Sequence, residues 1–254
     1  MPLSHLLLLI LAGAGAGFVN AIAGGGTILT FPALILVGVD SIHANATSTV
    51  ALILGIGGGV YGYRGHLAPV RHWLLDFAPI SVLGGLLGAL LLTHTPTGLF
   101  DKLVPFLLLF ATILFMAHGW LASHLPSGPE PGRPHWSALG IQFLVSVYGG
   151  YFGAGIGILM LAVFGLFGLR NLNQMNAIKT VLGALVNIVA ALYFIGCGLI
   201  DWPKMLLIAG GALPGYYLGS LYSQNIPAAR ARQIVSAIGL AIAGYFFYRI
   251  FGGK

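Results

Sequence analysis

The sequence predicts an all-α polytopic membrane protein, and three observations predict it. Of 254 residues, 58% are hydrophobic and only 6% charged, where soluble domains carry about a quarter of charged positions. Apolar runs recur along the chain at or above the roughly 20 residues that a helix needs to cross a bilayer. Two of those runs are too long for one crossing and are interrupted by glycines.

Charge and cysteine content narrow the class further. Eleven Lys and Arg against five Asp and Glu give a net charge of +6, which suits anionic lipid head groups or an anionic solute. The basic residues are scattered singly between apolar runs, so a nucleic-acid surface is not expected. A single cysteine, Cys197, excludes an internal disulfide. No cationic n-region precedes Leu3, so the first run is expected to be a retained helix and not a cleaved signal.

Taken in order, the apolar runs fall at 3–37 (interrupted), 42–63, 72–92, 99–122, 136–168 (interrupted), 173–195, 203–222 and 227–251. Asp40-Ser41, Thr95-Pro96-Thr97, Asn171 with Asn173, and Asn225-Ile226-Pro227 supply helix-start chemistry between them. Residues 123–134 differ: four prolines and Glu130, the sole glutamate, mark a linker between two halves. The expected units are 1–122 and 135–254.

The first run holds Asn20-Ala21-Ile22-Ala23-Gly24-Gly25-Gly26-Thr27 and, beyond it, Thr30 and Pro32. Residues 3–37 carry no formal charge, and as one straight helix they would extend about 50 Å against a hydrocarbon core of about 30 Å. The chain must bend. Irregular backbone at membrane depth is tolerated only where protein buries it or where it lines a cavity. The break is therefore a place for a ligand. Its counterpart in the second interrupted run is Gly149-Gly150-Tyr151-Phe152-Gly153-Ala154-Gly155-Ile156-Gly157.

A gapless shift of 131 positions superposes Asn45-Ala46-Thr47-Ser48-Thr49-Val50 on Asn176-Ala177-Ile178-Lys179-Thr180-Val181, and pairs Gly24 with Gly155, Gly26 with Gly157, Gly65 with Gly196, Gly84 with Gly215, and Gly88 with Gly219. This register predicts two copies of one unit of four hydrophobic segments, about eight in all. Short helices are expected after each break, at 27–37 and 158–168, with N-termini whose free N–H groups and dipole favour an anion. Gly84 with Gly88, and Gly211, Gly215 and Gly219, have instead the small-xxx-small spacing of helix packing.

In the helix that follows the second break and its short helix, Asn176, Thr180, Gly183 and Asn187 share one face. Lys179 lies about 10 Å inside the helix start, where its charge requires either snorkelling or an anionic partner. Ser48 holds the equivalent place in the first copy. The expected substrate-binding set is Asn20, Gly24, Gly25, Gly26, Thr27, Asn45, Thr47, Ser48, Gly153, Gly155, Gly157, Asn176, Lys179, Thr180 and Asn187. Asn20, Asn45, Thr27 and Thr30 also suit helix caps or interhelical hydrogen bonds. Asp76, about one turn inside its helix, suits either a proton relay or a helix-start charge.

Whether the copies run parallel or inverted turns on the interrupted segments. If each crosses once, a unit has four crossings and the copies are parallel; if each turns back as a hairpin, three net crossings invert the second copy. Segment length favours the hairpin, although residues 4–22 are nearly a full span alone. In the hairpin arrangement Arg64, Arg71, Arg133, Arg170, Arg230 and Arg232 fall on one side.

At Gly17-Phe18-Val19-Asn20-Ala21-Ile22-Ala23-Gly24-Gly25-Gly26-Thr27, Pro32, Ala46-Thr47-Ser48, Gly153-Ala154-Gly155-Ile156-Gly157 and Asn176-Ala177-Ile178-Lys179, the chain resembles the sulfite exporter TauE/SafE family of membrane permeases. The resemblance covers nearly the whole chain. It implies a multi-pass protein of the cell (inner or plasma) membrane carrying small sulfur-containing anions such as sulfite, thiosulfate or organosulfonates by secondary transport. The second copy reads Ala177-Ile178-Lys179 where the first reads Ala-Thr-Ser, which argues against a symmetric site.

No HExxH, GxSxG or zinc-ligand spacing is present. An intramembrane enzyme, a metal site and a cofactor are therefore not expected. The expected partners are the anion and the bilayer, with proton coupling and a homo-oligomer as further expectations. An anion channel and an assembly protein bound through glycine faces are the rival readings.

Overall fold

A computed structural model describes residues 1–22, 25–123, 136–169, 171–222 and 228–252. The expected linker, from residue 124 onward, Gly24, Arg170 and the Asn225-Ile226-Pro227 turn lie outside the described residues. Among those described, the chain is helical: α1 (Leu3–Ile22), α2 (Thr27–Leu36), α3 (Ser41–Tyr63), α4 (Arg71–His94), α5 (Thr97–Ser123), α6 (Trp136–Tyr151), α7 (Ile156–Leu166), α8 (Leu172–Gly196), α9 (Trp202–Tyr222) and α10 (Ala228–Phe247). Short 3₁₀ turns join α3 to α4, and a π-turn, Tyr248–Gly252, extends α10. Both interrupted runs break where the glycines predict, and the short helices after them are α2 and α7.

The helix ends follow from local chemistry. The Asp40 carboxylate accepts the His43 N–H at 3.2 Å, and the Asn171 side chain accepts from Asn173 and Gln174 at 3.0 and 3.4 Å. Thr95 turns the other way and closes α4, its hydroxyl donating to the Leu91 carbonyl at 2.7 Å. α2, α7 and α8 stop at Gly38, Gly168 and Gly198, each with φ between 71° and 97°. The residue after each glycine reaches back five positions: Val39 to Leu34, Leu169 to Phe164 and Leu199 to Phe194. That is the helix-terminating motif in which a left-handed residue frees the chain while satisfying the last carbonyls.

Close glycine contacts fix the helix directions. Methyl groups built on Gly211, Gly215 and Gly219 of α9 would land on the carbonyls of Ile10, Ala14 and Phe18 of α1. Those on Gly13 and Gly17 would meet Ile208 and Ala212. Both sequences advance together, so α1 and α9 run parallel. The same reading of Gly84 against Phe143 and Gly88 against Val147 makes α4 and α6 parallel. The break between α1 and α2 is a hairpin, since Gly26 returns to Ala16 and Gly15 faces Leu29. α6 and α7 form another, with Gly149 against Ile156. α5 and α10 are antiparallel, Phe106 touching Phe247 and Phe251 while Gly239 meets Thr112.

If α1 starts on a first side, α3 and α5 also start there and α4 returns to it. α6 then starts on the second side. Every helix from α6 to α10 runs opposite to the helix that the 131-position shift pairs with it. α1 also lies along α9, α3 along α8 and α9, and α4 along α6 and α8, while α5 and α10 pair with each other. Among the described residues, spans at Leu3–Ala21, Ala68–His94, Thr97–Leu114 and Asn173–Gly196 are long and apolar enough to cross a membrane. The protein is a multi-pass membrane protein.

These directions assign the connections. Among the described residues, Arg64 and Arg71 between α3 and α4, and Arg230 and Arg232 at the start of α10, fall at helix ends on the second side. Arginine excess marks the cytoplasmic side. Cys197, exposed at the end of α8, is on the first side. A membrane-impermeant maleimide applied to intact cells is therefore expected to label it without lysis; labelling only after lysis would reverse the orientation.

Candidate functional site

The first break is closed by its own side chains. Asn20, on the last turn of α1, accepts the Gly26 N–H at 2.6 Å and donates to the Tyr216 hydroxyl of α9 at 2.8 Å. Gly25 has φ 93°, a conformation that glycine adopts without steric cost. A methyl at Gly26 would sit 2.6 Å from the Ala16 carbonyl and 2.9 Å from the Asn20 amide. One turn on, the Thr30 and Ser48 hydroxyls, both fully buried, are 2.6 Å apart. Thr27 is half-buried on the first turn of α2. Ala16 is about 20 Å along α1 from Leu3 at 1.5 Å per residue, so the N-terminus of α2 lies within the hydrocarbon layer.

Asn20 therefore carries two hydrogen bonds that leucine would remove together. Asn20→Leu is expected to destabilise the protein by about 1–3 kcal/mol, because it leaves a half-buried N–H and a hydroxyl unpartnered. Tyr216→Phe, which leaves only one group unpartnered, is expected to cost less. Thermal melts in detergent compare the two.

The second break is built differently. Gly153 and Gly155 have φ 79° and 77°, and the Tyr148 hydroxyl donates to the Ala154 carbonyl at 2.6 Å. α7 starts after Gly155 with no side-chain cap. The aliphatic stem of Lys179 covers its first turn, with Cδ 3.1 Å from where a methyl on Gly157 would lie. The Lys179 ammonium donates to the Asn176 side chain at 2.7 Å, and among the described residues no carboxylate pairs with it. The Asn187 side-chain oxygen faces Gly153, 4.0 Å from the same kind of built methyl. Thr180 and Asn187 each donate back to their own helix, to the carbonyls of Asn176 and Gly183 at 2.7 and 2.8 Å.

α3 joins these parts. Asn45, 1% exposed, donates to the Tyr151 carbonyl at the second break at 3.0 Å. Thr47 accepts the Asp201 N–H at 3.0 Å and so fastens the start of α9. Asp76 is half-buried on the second turn of α4, engaged in an interaction of its own. The expected residues thus divide into a cluster of Asn20, Gly25, Gly26 and Ser48 and another of Gly153, Gly157, Asn176, Lys179 and Asn187. Gly155 starts the helix that the second cluster covers. Thr47 is turned to α9, and Thr180 to its own helix.

Sequence reasoning missed what lies between the clusters. Phe31 of α2 meets Phe152 of the second break edge-on at 5.4 Å, and Phe100 of α5 closes on both at 6.5 and 6.4 Å. All three rings are buried. Nothing in the spacing of single phenylalanines in an apolar chain marks such a group. Tyr148 and Tyr216, which brace the two breaks, are equally silent. Asp201, whose carboxylate accepts the Lys204 N–H at 3.2 Å, was legible as an acidic residue just before a Trp-Pro start.

The sequence model of the family described as "Sulfite exporter TauE/SafE" matches residues 9–246. The chain belongs to that family. A probable membrane transporter protein ORF9 from Sinorhizobium sp is 29% identical over 250 residues, covering 94% of this chain and 91% of that one. A probable membrane transporter protein of Haemophilus influenzae is 32% identical over 221 residues, 85% of this chain and 84% of its own. The probable membrane transporter protein YfcA of Escherichia coli K12 is 29% identical over 206 residues, 81% and 76%. No solved structure matches. As a TauE/SafE member the chain is a membrane permease and not an enzyme, acting on a small-molecule substrate within the bilayer.

Proposed function

We propose that this permease carries small sulfur oxyanions or organosulfonates by alternating access, from one anion site at the second break. The chain is two copies of one unit, 1–122 and 135–254, joined by the linker 123–134. The opposite directions of shift-related helices support that duplication and an inverted relation between the copies.

The reading is carried by one asymmetry. At the first break the leading N–H is taken by the Asn20 side chain and the residue equivalent to Lys179, Ser48, is held by Thr30. Neither α2 nor α7 has a side-chain cap, but only the α7 N-terminus has a lysine lying against it. A charged lysine costs about 2.5–3.5 kcal/mol at the centre of a membrane helix on insertion scales, an upper bound for Lys179 some 10 Å inside its helix start, and one asparagine offsets only part of that. An anion bound between the ammonium and the α7 N–H groups supplies the rest. Glycine at 153 and 155 supplies the positive φ of the break, and at 157 it lets the Lys179 stem reach the first turn of α7. Asn176 orients the ammonium, and Asn187 faces the same loop.

The test is flux into proteoliposomes with sulfite, thiosulfate, sulfoacetate and taurine. Saturable uptake of at least one, accelerated by the same anion on the opposite side, is expected. Unsaturable, conductive flux would make the protein a channel, and no flux of any of the four would remove the sulfur-anion assignment.

A further inference from the structure

We propose that the bodies which move against each other during transport are not the two sequence halves but two mixed groups that have exchanged a helix: α1, α2, α3 and α9 in one, and α4, α6, α7 and α8 in the other. The proposal rests on the alternating-access reading and specifies its moving parts.

Rigid bodies are defined by interfaces that cannot slide. The α1/α9 interface has five glycines at backbone contact distance, Gly13, Gly17, Gly211, Gly215 and Gly219, so that the two main chains interlock. The Asn20 to Tyr216 hydrogen bond crosses the same interface, and Thr47 of α3 holds the first turn of α9. On the other side, Gly84, Gly85, Gly88 and Gly150 interlock α4 with α6. There the fully buried Gln142 of α6 donates to Ser81 of α4 at 3.0 Å, and Val186 of α8 contacts Gly85. Each of these interfaces joins a helix of the first half to one of the second. Sliding the halves past each other would break all of them at once, in a medium where unpaired polar groups are costly and close packing supplies much of the association energy.

The contacts between the two mixed groups are of another kind. α3 meets α8, where built methyls on Gly183 and Gly196 of α8 have nothing within 4 Å. The aromatic rings Phe31 and Phe152 touch edge-on, a geometry that tolerates displacement. Among the described residues a single side-chain amide, Asn45, reaches across to the Tyr151 carbonyl, and its own side-chain oxygen is buried without a partner. α5 and α10 pair with each other at the flank. The seam between the mixed groups passes beside the second break, so its opening changes access to Lys179 without dismantling either hairpin.

Pairs of spin labels discriminate this arrangement from rocking of the halves. In a C197S background reconstituted in liposomes, labels at L3C and W202C sit on different halves but the same mixed group; labels at L3C and H94C sit on the same half but different groups. All three positions are exposed and on the same membrane side. The expected result is one narrow distance distribution for the 3–202 pair and a broad or two-peaked one for the 3–94 pair. Adding N45A, which removes the amide crossing the seam, should broaden the 3–94 distribution further and leave 3–202 unchanged. A narrow 3–94 distribution, or a 3–202 distribution that is as broad, overturns the proposal. Flux measured on the same liposomes separates the readings, because missing sulfur-anion flux with a mobile 3–94 pair counts against the substrate assignment alone.

Discussion

Lys179→Met is expected to abolish saturable anion flux while leaving a protein that folds at least as well as the original. Methionine keeps an unbranched stem of similar length against Gly157 and removes only the ammonium and its bond to Asn176. Removing one partner from a buried, hydrogen-bonded charge pair typically costs about 2–5 kcal/mol, a factor of roughly 30 to several thousand in affinity. The folded protein has the opposite balance, because it no longer carries a charge in hydrocarbon. Loss of substrate-induced thermal stabilisation with an equal or higher melting temperature is the signature to look for. Unchanged affinity would mean that the ammonium only snorkels, and the same melt would then show no gain.

How much of this was legible in the sequence depends on whether a feature is local. The glycine breaks were readable because a 35-residue uncharged run cannot be one helix, and the caps at Asp40 and Asn171 because an N-cap is a few residues of chemistry. The 131-position register assigns each helix a counterpart without saying how they lie, since a repeat fixes equivalence and not contact. Asn20, Gly25 and Gly26 were recognised as a group, yet the direction of the Asn20 side chain, into its own break, depends on α9 arriving beside α1. Thr47 was read with its neighbours Asn45 and Ser48, whereas these three side chains, within about one helical turn, reach three different segments. The aromatic group at Phe31, Phe100 and Phe152 has members from three distant segments and no pattern within any one of them. What escaped was in each case tertiary.

The glycines of α9 separate packing from conformational freedom in two adjacent positions. Gly210 has nothing within 4 Å of a built methyl, whereas the methyl of an alanine at Gly211 would overlap the Ile10 carbonyl of α1. In an isolated helix both substitutions gain about 1 kcal/mol from the better helix former. At Gly210, exposed on the outer face of α9, that gain stands, and Gly210→Ala is expected to hold or raise the melting temperature. At Gly211 the carbonyl is backbone and cannot rotate away, so the two helices must separate along a seam that Gly215 and Gly219 also require to be tight. Overpacking costs about 1–3 kcal/mol even where side chains can adjust, and here nothing adjacent can. Gly211→Ala is expected to lower the melting temperature markedly and Gly211→Val to prevent recovery of monodisperse protein. Equal behaviour at the two positions would show that α1 and α9 are not interlocked, and the exchanged-helix bodies would lose their main joint with them.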